Sequence, residues 1–472
     1  MSARRHEATD EQARPLGARR RRAVRALAAP AAALLAASLL LAGCTGGGDA
    51  TSAPPRSATT SSAPVDLSFG VYGPDDEVSA YQSVVDEYNG QSQDSRVKLH
   101  AWSDHDGLVR ALKVGGSIPD VFMVSRDDLS WLQDEGLTQP VDELLDERGV
   151  DFGDGYSRDA LQSFSADNRL QCMPLGISPM VIYYNTDLVD FARMRAHGLD
   201  APDPEGDHSR WTFEQFAAAA DFATRPRRHT RGVHVDPTVA GLAPFIYSGG
   251  GKVFDDDSQP KSLAFSDSGS QSALERTLEL LRNPHVTLTP GQLERASGLK
   301  WFERGRVGMI AGYRSLVPEL RHVPGLHFDV MPMPVLDSAA TTGDISGLCL
   351  SKHAASTSEA ADFMVNALSS ESVAQVARAG YLAPANLEVA VSDDFLQPGR
   401  MPEHAAVFNN AVRSMQITPL LDSWGKLEQA VAPTLQQMVN VPILDDLAAL
   451  TEEVDAESRP VLDPSSASES PQ

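Results

Sequence analysis

NRLQCMPLGISPMVIYYNTDL, residues Asn168–Leu188, is the stretch on which the architecture turns. Leu170–Pro174 is a short apolar run closed by proline, Gly176–Pro179 gathers small and rigid residues, and Met180–Tyr184 is a second apolar run. The pattern reads as two buried strands meeting at a tight joint. A strand that leaves one hydrophobic core, bends at Gly176 and Ser178 and enters another places its bend between domains, where ligand clefts form. Two ordinary strands and a turn within one domain would carry the same pattern.

The chain has 472 residues, 42% of them hydrophobic and 22% charged, enough to bury a large core and to divide into about two domains. Eight arginines fall in the first 25 residues, ahead of the apolar run Ala26–Ala42. That order is the order of an export signal, and the run is short for a bilayer span. Its end, Leu41-Ala42-Gly43-Cys44, resembles the bacterial lipobox, which implies a lipoprotein signal peptide over residues 1–43 and lipid on Cys44. An apolar anchor with an incidental cysteine is the alternative, and the arginine cluster does not decide between Sec and twin-arginine export. Residues 44–64 are almost wholly Gly, Ser, Thr, Ala and Pro, a disordered tether with a reach of about 25 Å. The leader holds eight basic and three acidic residues, so the remainder carries a net charge of −29 against −24 for the full chain. An acidic body argues against nucleic acid and anionic lipid as partners.

From Val65 the chain alternates strand and helix. Val65–Val71 is followed by a helix with Tyr81, Val84, Val85 and Tyr88 on one face, which Asp75 or Asp76 can cap. Val97–Trp102 precedes a helix carrying Leu108, Ala111 and Leu112 that Gly115 and Gly116 stop, and Val121–Val124 precedes a helix around Trp131. This alternation predicts a parallel sheet with helices on both faces, and ligands then collect beyond the carboxyl ends of the strands. The loops there, Gly73–Asp76, Ser103–Asp106 and Ser125–Asp128, supply Asp75, Asp76, Asp104, Ser125, Arg126 and Asp127 as candidate ligand-binding residues, with Ser178 at the bend. Helix capping is the competing role for each aspartate.

Further along, Phe245–Val253 sets Tyr247 beside three glycines, and Val307–Gly312 leads into Tyr313 and Arg314. Gly343–Leu350 fits a return crossing, and Ser356–Glu359 a capping box. Met401–Val454 reads as helices broken by Pro419, Pro433 and Pro442, with Trp424 among them. Cys172 and Cys349 lie near the two crossings; an exported chain permits a disulfide between them, and two buried thiols are the alternative.

The order of these elements resembles the extracellular solute-binding proteins of ABC importers, in the carbohydrate-binding family related to maltose-binding protein. The matching residues are Gly116–Val121, then Cys172–Leu175 with Tyr184, Asn185, Asp187 and Leu188, then Trp211-Thr212, Trp301–Gly305, Val307–Tyr313, Phe328–Pro334, Gly343–Leu350, and Gly380, Tyr381 and Pro384. Together they extend the resemblance from Val65 to Val454. Tyr313 stands where the family places a sugar-stacking aromatic, although it directly follows the glycine and replaces the commoner tryptophan. Trp424 is at the position of a tryptophan that reaches the cleft.

The resemblance implies an α/β, two-lobed periplasmic-binding-protein-like fold of type II with a hinge and an interlobe ligand cleft. Its lobes would be residues 65–175 plus 345–396 and 176–344 plus 397–458, with a disordered tail at 459–472. It further implies a neutral carbohydrate ligand, delivery to the transmembrane subunits of an ABC permease, a monomer held to the outer face of the cell membrane by lipid at Cys44, and no enzymatic chemistry or cofactor. A lipid-anchored hydrolase is the rival class, but G-x-S-x-G, H-E-x-x-H and a glycine-lysine phosphate loop are all missing. A metal-binding lipoprotein would draw on His100, Asp104, His105 and Asp106, whose spacing across a strand and loop is poor for ligation, so no metal site is expected.

Overall fold

The computed structural model describes residues 63–114, 118–441 and 446–465. The leader, Cys44, the tether up to residue 62, Gly115–Ser117 and Pro442 lie outside the described residues. β1 (Val65–Tyr72) pairs in parallel with β2 (Ser95–Trp102) and β3 (Val121–Ser125), with the helix Asp75–Gln91 burying Tyr81, Val84, Val85 and Tyr88. After β4 (Thr138–Gln139) and the hairpin of β5 (Ser165–Ala166) and β6 (Arg169–Leu170), β7 (Cys172–Pro179) joins the first sheet. Two residues after β7 ends, at Val181, β8 (Val181–Asn185) has entered a different sheet with β9 (Arg231–His234), β10 (Val307–Gly312) and β11 (Phe328–Pro332). β12 (Gly343–Ser351) then returns to the first sheet, between β3 and β7 and antiparallel to both.

The parallel sheet expected from the sequence is therefore parallel only over β1–β3. A chain that comes back from the second sheet must start at the cleft end and run away from it, opposite to strands that end there. Outgoing and returning crossings are tied to each other: Met180 donates its N–H to the Thr342 carbonyl (2.8 Å), and the Thr341 hydroxyl donates to the Met180 carbonyl (2.7 Å). Thr341 also exchanges backbone hydrogen bonds with Ser414 and Gln416. Glycine is required where these segments touch. A Cβ on Gly176 would come within 2.8 Å of Leu382 and Ser346, and one on Gly343 would overlap the Met415 sulfur.

Two readings of the C-terminal region are corrected. Pro433 does not break a helix but sits inside Trp424–Asn440. It and Gln429, whose carbonyl loses its usual helical partner, are both exposed, so the missing bond falls on the solvent face while Leu427, Val431, Leu435 and Met438 bury the other. The last helix, Leu447–Leu462, runs four residues into the segment assigned to a tail, because Val461 and Leu462 pack on the second apolar cluster. At Ser356 the hydroxyl meets the Glu359 carboxylate instead of a backbone N–H.

Cys172 of β7 and Cys349 of β12 are directly paired in register and form a disulfide. The bond closes a loop with a sequence separation of 177 that contains the whole second sheet. Alkylation of the unfolded, unreduced chain should therefore leave Cys172 and Cys349 unmodified. The double variant Cys172→Ala/Cys349→Ala should lose about 2–5 kcal/mol of stability in chemical denaturation; alkylation of both thiols would contradict the bond.

Candidate functional site

Strand ends, crossings and the loop after β10 converge on three adjoining cavities of about 540, 240 and 290 Å³, and Tyr313 lines all three. Gly312 ends β10, so the next residue leaves the sheet into the space between the two sheets. Tyr313 is fixed there by its carbonyl, which accepts the buried Tyr183 hydroxyl at 2.6 Å. Trp424, the first residue of its helix, lines the second cavity opposite Ser125, Arg126 and Asp127, with its ring 6.1 Å from that of Phe254. Ser178 lines the first cavity from β7 and accepts the Arg314 N–H at 2.9 Å.

The loop aspartates divide between roles. Asp104 is at the rim of the first cavity and also caps a helix, accepting the Gly107 N–H at 2.7 Å; that bond, then one from Ser103, holds its carboxyl below the usual range. Ser125 caps a 3₁₀ turn with Asp128 while lining the second cavity. Asp127 lines it too, and burial raises its carboxyl to about 6 against the opposing pull of Arg126. Arg126 keeps Nε and Nη1 buried without a protein partner, so donors are available in a site otherwise rich in acceptors.

Four expected residues are not in the cleft. Asp75 and Asp76 are exposed on the outer side of the first helical turn, and neither lines a cavity. Arg314 is fully buried: Nε donates to the Gly380 carbonyl (3.0 Å) and Nη2 to that of Phe395 (3.2 Å), with the guanidinium 4.5 Å over the Phe395 ring. It ties the Gly380 loop to the short helix Asp393–Leu396 and cannot meet ligand, because the residue after an outward-facing Tyr313 turns back into the protein. Tyr247 is on the helix Val239–Ser248, two turns beyond the Ala240 that does reach the cavity.

Glu77, Tyr72, Asp344 and Tyr381 line the first cavity and were missed from the sequence. Burial first, and the Asp344 charge second, raise the Glu77 carboxyl to about 7. Asp344 stands on the cleft floor, its side chain exposed to the cavity, and the desolvating protein around the cleft raises its pKa as well. A signal for Glu77 existed: it is four residues before Tyr81 and so on the buried face of the same helix. His105, in the histidine-aspartate cluster considered for metal, is instead paired with Asp128 at 2.6 Å, which raises its pKa.

The cleft thus offers several flat rings, with carboxylates and hydroxyls as acceptors and few cations among the described residues, an arrangement that recognises polar, ring-shaped molecules. Comparisons agree with a binding role. Residues 83–403 match the family of bacterial extracellular solute-binding proteins. An ABC substrate-binding protein of Listeria monocytogenes, solved with cycloalternan, is 17% identical with a TM-score of 0.70, covering 86% of this chain and 99% of that one. The cyclic α-maltosyl-1,6-maltose binding protein of Arthrobacter globiformis is 19% identical with a TM-score of 0.67, covering 85% and 100%. The GacH receptor of Streptomyces glaucescens, solved unliganded and with acarbose, is 16% identical with a TM-score of 0.65, covering 85% and 100%. No curated protein sequence matches the chain. The fold is the two-lobed α/β fold of these binding proteins, and the chain belongs to the bacterial extracellular solute-binding protein family.

Proposed function

We propose that this chain captures a neutral sugar or oligosaccharide between its lobes and delivers it to the transmembrane subunits of an ABC importer. The observation that carries the reading is that Tyr313 and Trp424 share one cavity wall system with Ser125, Arg126 and Asp127. A sugar ring presents an apolar C–H face to such rings and hydroxyls to such polar groups. The carbohydrates named for the structural neighbours support the same class of ligand. One lobe is assigned to residues 65–175 plus 345–396 and the other to 176–344 plus 397–458 with the helix end that follows. Ligand bridging the two would favour a closed form for the permease to read. Lipid at Cys44 would hold the protein at the outer face of the membrane as a monomer; among the described residues no helix is long and apolar enough to cross one.

Each arm of the reading has its own outcome. A Cys44→Ala variant should leave the membrane fraction that holds the parent; retention in that fraction would contradict lipidation. A thermal-shift screen against sugars should find a stabilising ligand, and calorimetry with it should show Tyr313→Ala and Trp424→Ala weakened about tenfold or more, the loss of roughly 1.4 kcal/mol per decade common for a buried stacking ring. Unchanged affinity in both variants would remove the rings from the site.

The buried carboxyls also set a pH dependence. Glu77 and Asp127 titrate near 7 and 6 in the folded chain against ordinary values of 4.5 and 3.8. Their contribution to stability is complete only below about pH 4 and is lost as pH rises through 6 to 7. Glu77→Gln should therefore melt above the ligand-free parent at pH 8, by on the order of 2 kcal/mol, and differ much less at pH 5. Parallel pH profiles would show that the carboxyl is fully hydrated.

A further inference from the structure

Away from the cleft, three segments distant in sequence bring two imidazoles and a carboxylate together. His208 is 4% exposed and is held with φ 53, and neither of its ring nitrogens has a hydrogen-bond partner. Its ring stacks on that of His404 with centroids 3.6 Å apart. Both face Asp329 of β11, 5% exposed: Oδ2 is 2.5 Å from His404 Nδ1 and 4.0 Å from His208 Nδ1. Asp329 Oδ1 accepts the N–H groups of Val330 (2.9 Å) and His404 (3.0 Å), which aims Oδ2 at the rings. One ligating atom from each residue fits within 4.8 Å of the other two.

We propose that His208, Asp329 and His404 form a divalent-metal site, best matched to zinc, that staples the 199–212 loop and the segment before His404 to β11. A buried imidazole with no hydrogen-bond partner is costly, and coordination through one nitrogen relieves part of that cost. Ligands around tetrahedral zinc are separated by roughly 3.3 Å, given bonds of about 2.0–2.1 Å. The observed 2.5 and 4.0 Å bracket that value, and the two rings, stacked 28° apart, must swing out of their stack for both nitrogen lone pairs to meet one ion. Two histidines and one carboxylate make a three-ligand set with a fourth position for water, and the partly exposed His404 gives the ion a route from solvent. Oδ1 supplies the backbone-anchored outer contact that orients a ligating carboxylate. The site is remote from Tyr313 and Trp424 and does not depend on the sugar reading.

Zinc alone is the probe. The purified full chain, stripped with chelator, should take up one Zn²⁺ per molecule in calorimetry with a micromolar or lower Kd and melt at a higher temperature when loaded. Co²⁺ should give the intense visible bands of a tetrahedral site. His208→Ala and His404→Gln should each weaken Zn²⁺ at least tenfold and lose the Co²⁺ bands, with circular dichroism unchanged; the partly exposed His404 provides the test if His208→Ala fails to fold. No saturable uptake, or uptake equal in parent and His404→Gln, would overturn the proposal and leave a hydrogen-bonded His404–Asp329 pair beneath a stacked ring.

Discussion

The antiparallel pairing of β7 with β12 is the constraint from which the rest follows. These strands carry the chain out of the first sheet and back into it, and the disulfide fastens them below the point where Met180, Thr341 and Thr342 bond the two crossings together. Met180, Thr341 and Thr342 join the outgoing and returning segments at one place, so a movement of one sheet against the other would bend the chain at this hydrogen-bonded seam. The seam is also the floor of the cleft: Ser178, Asp344 and Ser346 face the cavity from the same two strands. Hinge and site are therefore one piece of backbone.

The electrostatics of the cleft point to hydroxyls as the ligand's main polar groups. Glu77 and Asp127 titrate above their ordinary values mainly because of burial, so the cleft holds carboxyls that are poorly hydrated, with the exposed Asp344 carboxylate beside them. A ligand donating hydroxyl hydrogens would replace the water that these groups lack, while Arg126, with two unpartnered nitrogens, can donate in return. An anionic ligand would meet several carboxyls and gain one guanidinium.

The sequence exposed the crossing because proline, glycine and serine punctuate it and apolar runs flank it on both sides. Of the residues singled out by loop position and family pattern, Tyr313, Trp424, Ser125 and Asp127 line the cavities. The sequence misled at Arg314, since adjacency to Tyr313 says nothing about where the next side chain turns, and at Asp75 and Asp76, since loop acids looked nearer to ligand than Glu77, which helical phase places on the buried face. Tyr247 fails by distance along its helix. The His208, Asp329 and His404 group could not be read at all, because it depends on contacts 121 and 75 residues apart between a loop, a strand and a returning segment. Such pairing is created by the fold and leaves no local pattern.

The most direct test of the account is a crystal structure of the chain with the tightest-binding sugar from a ligand screen. The account requires the sugar to lie between the two sheets, with a ring face on Tyr313 or Trp424 and hydroxyls within hydrogen-bond distance of both β12 and the Ser125–Asp127 turn. Density for the sugar on an outer surface, or in the cleft but touching neither aromatic ring, would contradict it.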